Sequence, residues 1–353
     1  MSRSYPWISN VASGVDTFFR EAILNRAPKA PPGTHRERVA LLNEAIGATV
    51  EPWMFDDRER FFPRAPAISI EAREGRSTVP GVVTELRWKS AFEPVFEENA
   101  ALFARLTRNE RARARLIVKD PASPRPTLLL IHGFMGGVPD MEERLFPVRA
   151  LFEAGFDLVL PTLPGHGGRK DGARFDRPRW PAKGPRFTID GYRQAVGDLR
   201  ALVHHLRDRG APAVGVVGMS LGGFTAALLA TVEPELRAAI PFIPLASIAQ
   251  YMFDNRQLEG SPEEQRELRE LVEALFSPVS PMARPVLVPS PGRKVIAGRV
   301  DRITPLSHAS RIARHFGVEV DVFEGGHLLQ FGKTETLLAA LSRSRASLAW
   351  GGR

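Results

Sequence analysis

Three residues in the second half of the chain have the types and the order that nucleophilic catalysis requires. Ser220 lies in the segment GMSLGG, directly after the apolar run VGVV and before an Ala/Leu-rich stretch. Asp301 ends the segment KVIAGRVD, and His327 lies in the turn that follows VEVDVF. A serine hydroxyl is a weak nucleophile, so it needs a base to take its proton and a third group to orient that base. The sequence therefore predicts Ser220 as nucleophile, His327 as base and Asp301 as acid.

The residues around Ser220 predict a sharp turn between a strand and a helix. In the pattern G-x-S-x-G, glycines on both sides permit a turn so tight that the serine hydroxyl is exposed at the end of its strand. An ordinary strand-to-helix turn without chemistry is the alternative. The apolar strand before the motif and the helix after it favour the nucleophile.

Position in the chain distinguishes His327 and Asp301 from their competitors. The expected order is serine, then acid, then histidine, with acid and base each leaving the end of a strand. For the acid, Glu324 is the alternative to Asp301, and Asp321 lies within a predicted strand. Other histidines lie in predicted helices or near the N-terminus: His35, His204, His205, His308 and His315.

Backbone N–H groups must stabilise the negative charge that develops on the carbonyl oxygen of the substrate. Leu221, immediately after the nucleophile, supplies the first predicted donor. The second is expected from the loop HGFMGG at 132–137, where glycines allow a close approach. Phe134 is the predicted donor and Met135 the alternative. His132 precedes the nucleophile in the chain and is interpreted as a structural residue.

Composition excludes several classes of protein. The chain has 353 residues, a formal charge of +8 and no cysteine, so disulfides, thiolate metal sites and cysteine nucleophiles are ruled out. Arginines are scattered among acidic residues along the whole length, unlike the basic stripe or tail of many nucleic-acid-binding proteins. We therefore expect no nucleic-acid partner, and the predicted serine chemistry needs neither a metal nor an organic cofactor.

The sequence also lacks the patterns of targeting and membrane segments. The first 25 residues contain no apolar run of the length found in secretory signal peptides, and no stretch of about 20 apolar residues occurs. The expectation is a soluble, cytoplasmic protein without a membrane span, of undetermined oligomeric state.

Two regions differ in their patterns. Residues 1–80 carry helical patterns broken by prolines, and they predict an N-terminal helical extension whose apolar face contains Val15, Phe18, Phe19 and Ile23. Packing of this face on the main domain is favoured over a role as a lid or at a membrane surface. From residue 81 onward, short apolar strands alternate with helices, which predicts a mostly parallel sheet covered on both faces. Strands are expected at 81–88, 114–119, 126–132, 156–160, 214–218, 239–245, 294–297 and 318–323, and helices at 190–209 and 305–316.

The segments IHGFMGG, PTLPGHGG, GMSLGGF, GRVDRITP and GGHLLQF, in this order, resemble the signature loops of the α/β-hydrolase superfamily. The resemblance covers about residues 125–345. It implies an α/β-hydrolase domain over 81–353, with a helical cap insertion at about 246–290 and an oxyanion loop that begins at His132. It also implies that Ser220, Asp301 and His327 have the roles given above, whereas His166 is structural.

Two regions could contact substrate. In the predicted cap, SPEEQRELRELVEALF predicts a helix, and Tyr251 and Phe253 precede it. Together with Met135 these side chains could line a pocket, although packing within the cap is the alternative. The loop at 167–185 could bind an anionic substrate, with a solvated loop as the alternative. Its candidates are Arg169, Arg174, Arg177, Arg179 and Trp180.

These predictions converge on a serine hydrolase that cleaves small-molecule carboxylic esters through an acyl-enzyme intermediate. Peptidase, amidase or acyltransferase chemistry uses the same three residues and stays open. A non-catalytic member of the fold that binds an ester-like ligand is the alternative from a different class.

Overall fold

A computed structural model of the chain describes residues 6–24, 33–64, 66–172, 177–181 and 183–348. Its strands within these ranges are β1 (Glu71–Glu74), β2 (Val82–Lys89), β3 (Arg111–Val118), β4 (Thr127–Ile131), β5 (Asp157–Thr162), β6 (Val214–Met219), β7 (Leu236–Phe242), β8 (Val295–Gly298) and β9 (Val320–Phe323). They form one sheet in the order β1-β2-β3-β5-β4-β6-β7-β8-β9. Pairing is antiparallel from β1 through β3 to β5 and parallel from β5 to β9.

The α-helices of the described residues precede, connect and follow these strands. They are α1 (Pro6–Leu24), α2 (His35–Thr49), α3 (Trp53–Asp56), α4 (Arg58–Phe61), α5 (Glu97–Ala104), α6 (Pro139–Leu145), α7 (Val148–Glu153), α8 (Pro185–Asp208), α9 (Leu221–Leu229), α10 (Ile248–Asp254), α11 (Pro262–Leu275), α12 (Leu306–Phe316) and α13 (Lys333–Leu348). Among them, no helix combines enough length and apolar character to cross a membrane.

Two hydrophobic cores lie on opposite faces of the sheet. Along β4, Leu129 and Ile131 join the core that contains residues of α8, α9 and α12, whereas Leu128 and Leu130 join the core with α7 and α13. This alternation follows from the two-residue period of a strand, and both faces are apolar because helices cover both. The predicted α/β architecture, with its mostly parallel sheet, is confirmed.

All eight predicted strands are present, but β1 was not predicted. Its four residues, EARE, are all exposed and charged or small, so no apolar alternation marks them. Pairing of β1 with β2 alone makes this segment a strand. The segment before residue 80 is therefore not purely helical.

Helix α1 forms as predicted, but a different face of it packs on the protein. Ala12 and Asp16 are completely buried, whereas Phe18 is 71% exposed and Val15 is half-buried. The predicted apolar face is thus wrong at Phe18, and the side chains of Phe19 and Ile23 lie outside the described residues. The interior face is set by a small residue and a carboxylate one helical turn apart, a combination that apolar periodicity does not reveal.

The rest of the N-terminal region also packs against the later part of the chain. Met54, Phe61 and Phe62 belong to the same core as α8 and α9, and α2 packs on α11. The domain boundary at residue 80 stays a prediction.

The segment between β7 and β8 contains α10 and α11, where the cap insertion is expected. Helix α11 begins with the predicted signal: Ser261 accepts a hydrogen bond from the backbone N–H of Glu264, whose side chain accepts one from the backbone of Ser261.

Candidate active site

Ser220 occupies a strained turn between β6 and α9. Its φ of 57° and ψ of −111° lie in a region that non-glycine residues seldom adopt. A Cβ added to Gly218 would lie 1.9 Å from the carbonyl oxygen of Gly222, and one added to Gly222 would lie 2.2 Å from that of Ile131. Only glycine fits at these two positions, so the G-x-S-x-G spacing is a steric requirement of this turn.

Neighbouring turns at the same edge are strained as well. Met135 in the loop after β4 has φ of 70°, and Ile243 after β7 has φ of 41°. Ser220 is tied to the second of these turns, since its carbonyl oxygen accepts a hydrogen bond from Leu245 N–H at 3.2 Å. Such strain persists only where the surrounding structure holds it, and it often clusters at functional sites.

His327 and Asp301 are in direct contact. The ring Nδ1 of His327 lies 2.7 Å from Oδ2 of Asp301, and because a carboxylate only accepts, Nδ1–H is the donor. Oδ1 of Asp301 accepts hydrogen bonds from the backbone N–H groups of Ile303 and Thr304, both at 2.8 Å. This arrangement fixes the tautomer and leaves Nε2 of His327 with the lone pair that a base needs.

Opposing effects act on the protonation of His327. Burial of the ring lowers its pKa, but the charge of Asp301, its hydrogen bond and the charge of Asp16 together raise the pKa above the usual 6.5. The ring is thus suited to accept a proton in an environment that would otherwise disfavour its charge.

The competing carboxylates have other partners. Oε1 of Glu324, the alternative acid, lies 2.7 Å from Nε of Arg299, and Asp321 pairs with Arg343, also at 2.7 Å. The structure therefore brings Asp301, and not Glu324, to the ring of His327.

The loop after β4 lies against Ser220. A Cβ added to Gly133 would lie 3.4 Å from the Cβ of Ser220, so the backbone next to Phe134 adjoins the serine. Leu221 is the first residue of α9, and the first N–H groups of a helix have no partner within that helix. Both predicted donors, Phe134 and Leu221, thus belong to segments that border Ser220.

His132 and His166 support this loop. Nε2 of His132 accepts a hydrogen bond from Leu163 N–H at 3.0 Å, and Nδ1–H donates to the carbonyl of Gly133 at 2.8 Å. Nδ1–H of His166 donates to the carbonyl of Pro164, also at 2.8 Å. Burial lowers the pKa of His132 to about 4 and that of His166 to about 3, so both are neutral near pH 7. Their contacts agree with the structural interpretation made from the sequence.

The three residues predicted to contact substrate differ in their exposure and in their neighbours. Met135 is half exposed, at the turn beside the serine loop. Tyr251 is largely buried, and burial raises the pKa of its hydroxyl. The guanidinium of Arg269 in α11 lies 5.2 Å from the ring centre of Phe253, so Phe253 takes part in packing between α10 and α11.

Two of the five candidates in the arginine-rich loop are buried structural residues. Arg169 is 1% exposed, its Nη1 lies 2.8 Å from Oδ2 of Asp198, and it also donates to the carbonyl of Asn109. Trp180 is buried and donates from Nε1 to the carbonyl of Thr188. The anion-binding interpretation is therefore wrong for these two. Arg177 and Arg179 are exposed, and Arg174 lies outside the described residues.

Two contacts of the His327 turn escaped the sequence analysis. Nε2 of Gln330 lies 2.7 Å from the carbonyl of His327 and 3.6 Å from Sδ of Met219, which links this turn to the residue before Ser220. The second is Asp16 of α1, whose carboxylate accepts from the backbone N–H of His327 at 2.6 Å. Gln330 lies within the motif GGHLLQF, but no sequence pattern connects Asp16 with this site.

One group of side chains has metal-like spacing. Ligand atoms of His204, Glu233 and Glu235 all lie within 4.8 Å of one another. However, Arg200 lies 3.0 Å from Glu233 and Arg64 lies 2.6 Å from Glu235, so cationic side chains already contact both carboxylates. We interpret the group as an ion-pair network.

Comparison with known proteins adds sequence relatives. The model of the alpha/beta hydrolase family matches residues 128–340. An uncharacterized protein of Mycobacterium tuberculosis (strain H37Rv) is 32% identical over 225 residues, which cover 63% of this chain and 54% of that protein. This chain thus spans about half the length of that relative. The dihydrolipoyllysine-residue acetyltransferase component of the acetoin cleaving system of Cupriavidus necator is 26% identical over 288 residues, 70% of each chain.

Solved structures with a similar fold include two acetyl xylan esterases. That of Paenibacillus sp. R4 has a TM-score of 0.56 at 14% identity and covers 91% of this chain and 98% of its own. That of Thermoanaerobacterium sp. JW/SL YS485 has a TM-score of 0.54 at 17% identity, with 90% and 96% covered. At such identities the likeness concerns the fold alone. Since the family model matches more than half of the chain, this protein belongs to the alpha/beta hydrolase family.

Proposed function

We propose that this protein is a serine hydrolase that cleaves small-molecule carboxylic esters through an acyl-enzyme intermediate. The observation that carries the proposal is the 2.7 Å hydrogen bond between His327 and Asp301, at the sheet edge where Ser220 occupies a strained turn. A carboxylate raises the pKa of this buried histidine because its negative charge stabilises the imidazolium ion, and such a histidine is suited to act as a base.

In the first step Oγ of Ser220 attacks the carbonyl carbon of the ester while Nε2 of His327 takes the serine proton. Asp301 holds the ring in one tautomer and stabilises its positive charge. The N–H groups of Leu221 and Phe134 donate to the oxygen that becomes negative, with Met135 as the alternative second donor. His327 then protonates the departing alcohol, and an acyl group remains on Ser220.

In the second step a water molecule attacks the acyl carbon and gives a proton to Nε2 of His327. The carbon–oxygen bond to Ser220 breaks, the serine regains its proton from His327, and the carboxylic acid leaves. No step requires a metal or an organic cofactor.

The choice of esters rests on chemistry and on likeness. Two structures of similar fold are acetyl xylan esterases by name, which favours ester substrates without identifying one. Peptidase, amidase and acyltransferase reactions use the same three residues, and they are distinguished by the leaving group or by the acceptor of the acyl group. A panel of p-nitrophenyl esters of increasing chain length beside aminoacyl arylamides separates these reactions.

The decisive experiment is labelling with a fluorophosphonate, which reacts with an activated serine. We expect the wild type to be labelled, Ser220→Ala to remain unlabelled, and its kcat for p-nitrophenyl acetate to fall about 10⁴- to 10⁶-fold. Ser342→Ala, at an exposed serine of α13, is the matched control and should behave as the wild type. Absence of labelling in the wild type would favour the non-catalytic binding protein, and equal labelling of Ser220→Ala would show that Ser220 is not the nucleophile.

A further inference from the structure

Asp16 of helix α1 is completely buried, and its carboxylate contacts the backbone of both loops of the candidate acid–base pair. Oδ2 lies 2.6 Å from the N–H nitrogen of His327 and 3.3 Å from that of Arg302, and Oδ1 lies 3.0 Å from that of Leu328. Arg302 directly follows Asp301 in the chain. One carboxylate thus joins the loop that carries the acid to the turn that carries the base.

The carboxylate of Asp16 has room beside the His327 turn because residue 326 is a glycine. A Cβ added to Gly326 would lie 2.4 Å from Oδ2 of Asp16, so a larger residue at this position would displace the carboxylate. A buried charge without partners is costly, and here three backbone N–H groups offset that cost. The same helix makes a further contact with the acid loop, because Nε of Arg302 donates to Oγ of Ser13 at 3.0 Å.

The next turn of α1 is bound to the cap segment. Nε of Arg20 lies 2.9 Å from Oδ1 of Asn255, and its Nη2 lies 2.6 Å from the carbonyl oxygen of Asp254. Asp254 in turn contacts Nε2 of His308 in α12 at 3.1 Å. Helix α1 is therefore fixed on both sides of Asp16, and the position of the carboxylate does not depend on the His327 turn alone.

We propose that Asp16 is a positioning residue for the acid–base pair, and that helix α1 completes the active site by fixing the backbone of the His327 turn against the loop of Asp301. The proposal rests on the proposed function. In it Asp301 orients the ring of His327 through Nδ1, whereas Asp16 orients the backbone to which the ring is attached. Small errors in the placement of a base reduce rates strongly, because proton transfer needs near-ideal geometry.

Charge gives Asp16 a second effect. Asp301 after β8 contacts the ring of His327 and Asp16 of α1 contacts its backbone. The other charged side chains on these two segments have different partners: Arg302 binds Ser13, and Arg299 pairs with Glu324. The charges of Asp301 and Asp16 both raise the pKa of His327. Removal of the negative charge at position 16 therefore lowers that pKa, and His327 stays neutral to a lower pH.

The test is Asp16→Asn in the full chain, with Glu21→Gln on the exposed side of α1 as the matched loss of charge. Asparagine keeps one acceptor but directs an NH₂ group at N–H donors. We expect kcat for p-nitrophenyl acetate to fall about 10- to 100-fold, KM to stay within about twofold, and the acid limb of kcat/KM to move to lower pH. Glu21→Gln should match the wild type in all three.

An NMR titration of the imidazole C–H signal of His327, assigned with His327→Gln, measures the same pKa without turnover. This measurement distinguishes the two proposals: absence of labelling in the wild type removes the hydrolase, whereas the shift of the His327 titration in Asp16→Asn still reports on Asp16. An unmoved titration together with an unchanged kcat would overturn the positioning role.

Thermal unfolding of each variant checks that the fold persists. If Asp16→Asn does not fold, Arg20→Gln provides the second route, because it removes the contacts of α1 with Asp254 and Asn255. Asp16 itself is retained, but its carboxylate is held less firmly against the His327 turn. A fall of kcat in the same direction, smaller than about tenfold, is expected there. A loss of thermal stability without any change in kcat or in the acid limb would assign α1 a purely structural role.

Discussion

Buried histidines occur in two kinds of surroundings at the carboxyl edge of the sheet. His132 and His166 follow β4 and β5, and His327 follows β9. In all three rings Nδ1–H donates, to the carbonyls of Gly133 and Pro164 in the first two and to the carboxylate of Asp301 in the third. The pKa falls to about 4 and about 3 for the first two, whereas that of His327 rises.

The acceptor, and not burial, therefore decides which ring can take up a proton. A carbonyl fixes the tautomer but offsets little of the cost of burying an imidazolium, whereas a carboxylate supplies the opposite charge at 2.7 Å. Two of these histidines thus hold the loop beside Ser220, and the third is suited to act as its base.

Asp301→Asn should make His327 similar to His132 and His166, whose rings contact an uncharged acceptor. We expect kcat/KM to fall about 10⁴-fold, as an amide favours the wrong tautomer. Loss of the charge lowers the pKa of His327, and since only the neutral ring is a base, the acid limb of the remaining activity moves to lower pH. Steady-state ester hydrolysis from pH 5 to 8 measures both effects.

Asp321→Asn, in the ion pair with Arg343, is the control for Asp301→Asn and should leave rate and profile as in the wild type. A fall of less than about tenfold in Asp301→Asn would show that another group orients His327.

His132→Phe should affect stability more than protonation. The substitution leaves Leu163 N–H and the Gly133 carbonyl without their partner, at a cost of about 2 kcal/mol or more in the free energy of unfolding. Urea denaturation measures this loss. The rate of fluorophosphonate labelling should fall because the loop beside Ser220 loosens, but its acid limb should stay in place. A displaced limb would mean that His132 takes part in the titration that controls the reaction.

Glu142→Gln tests a carboxylate of α6 that binds a backbone N–H of the same loop. Oε1 of Glu142 accepts from Gly137 N–H at 2.8 Å, and burial raises the pKa of the side chain to about 7. The folded state thus retains a proton that the unfolded chain loses near pH 4.5, so stability is lost as the pH rises from there towards 7.

Between pH 6 and pH 8 the wild type should lose roughly 1 kcal/mol of stability through Glu142, and the Gln variant should lack this loss. Urea denaturation at both pH values checks the difference. Equal pH dependence of the two proteins would mean that Glu142 remains ionised in the folded state.

The features that could be predicted from the sequence are those that follow from the order of strands and helices. Apolar strands were visible, and because the ends of parallel strands meet at one edge, the contact between Asp301 and His327 could be predicted. The roles of these two residues and of Ser220 remain predictions. The polar edge strand β1 escaped because only its pairing partner defines it.

Contacts between distant segments could not be predicted. Asp16 has no motif, and its partners depend on how α1 packs. Arg169 and Trp180 lie in a segment whose composition resembles that of an exposed binding loop, yet both side chains are buried. The burial and the partners of such residues depend on how distant segments pack together, and local sequence patterns do not contain this information.

The contact of Asp16 with the His327 turn has a consequence for the order of folding. The two residues are 311 positions apart, so the turn acquires its final support only when segments from nearly opposite ends of the chain have met. Contacts of such long range form late because closing the intervening loop is entropically unfavourable. A chain still being synthesised can build most of the sheet before residue 327 emerges, so the His327 turn would acquire its contact with Asp16 among the last steps of folding.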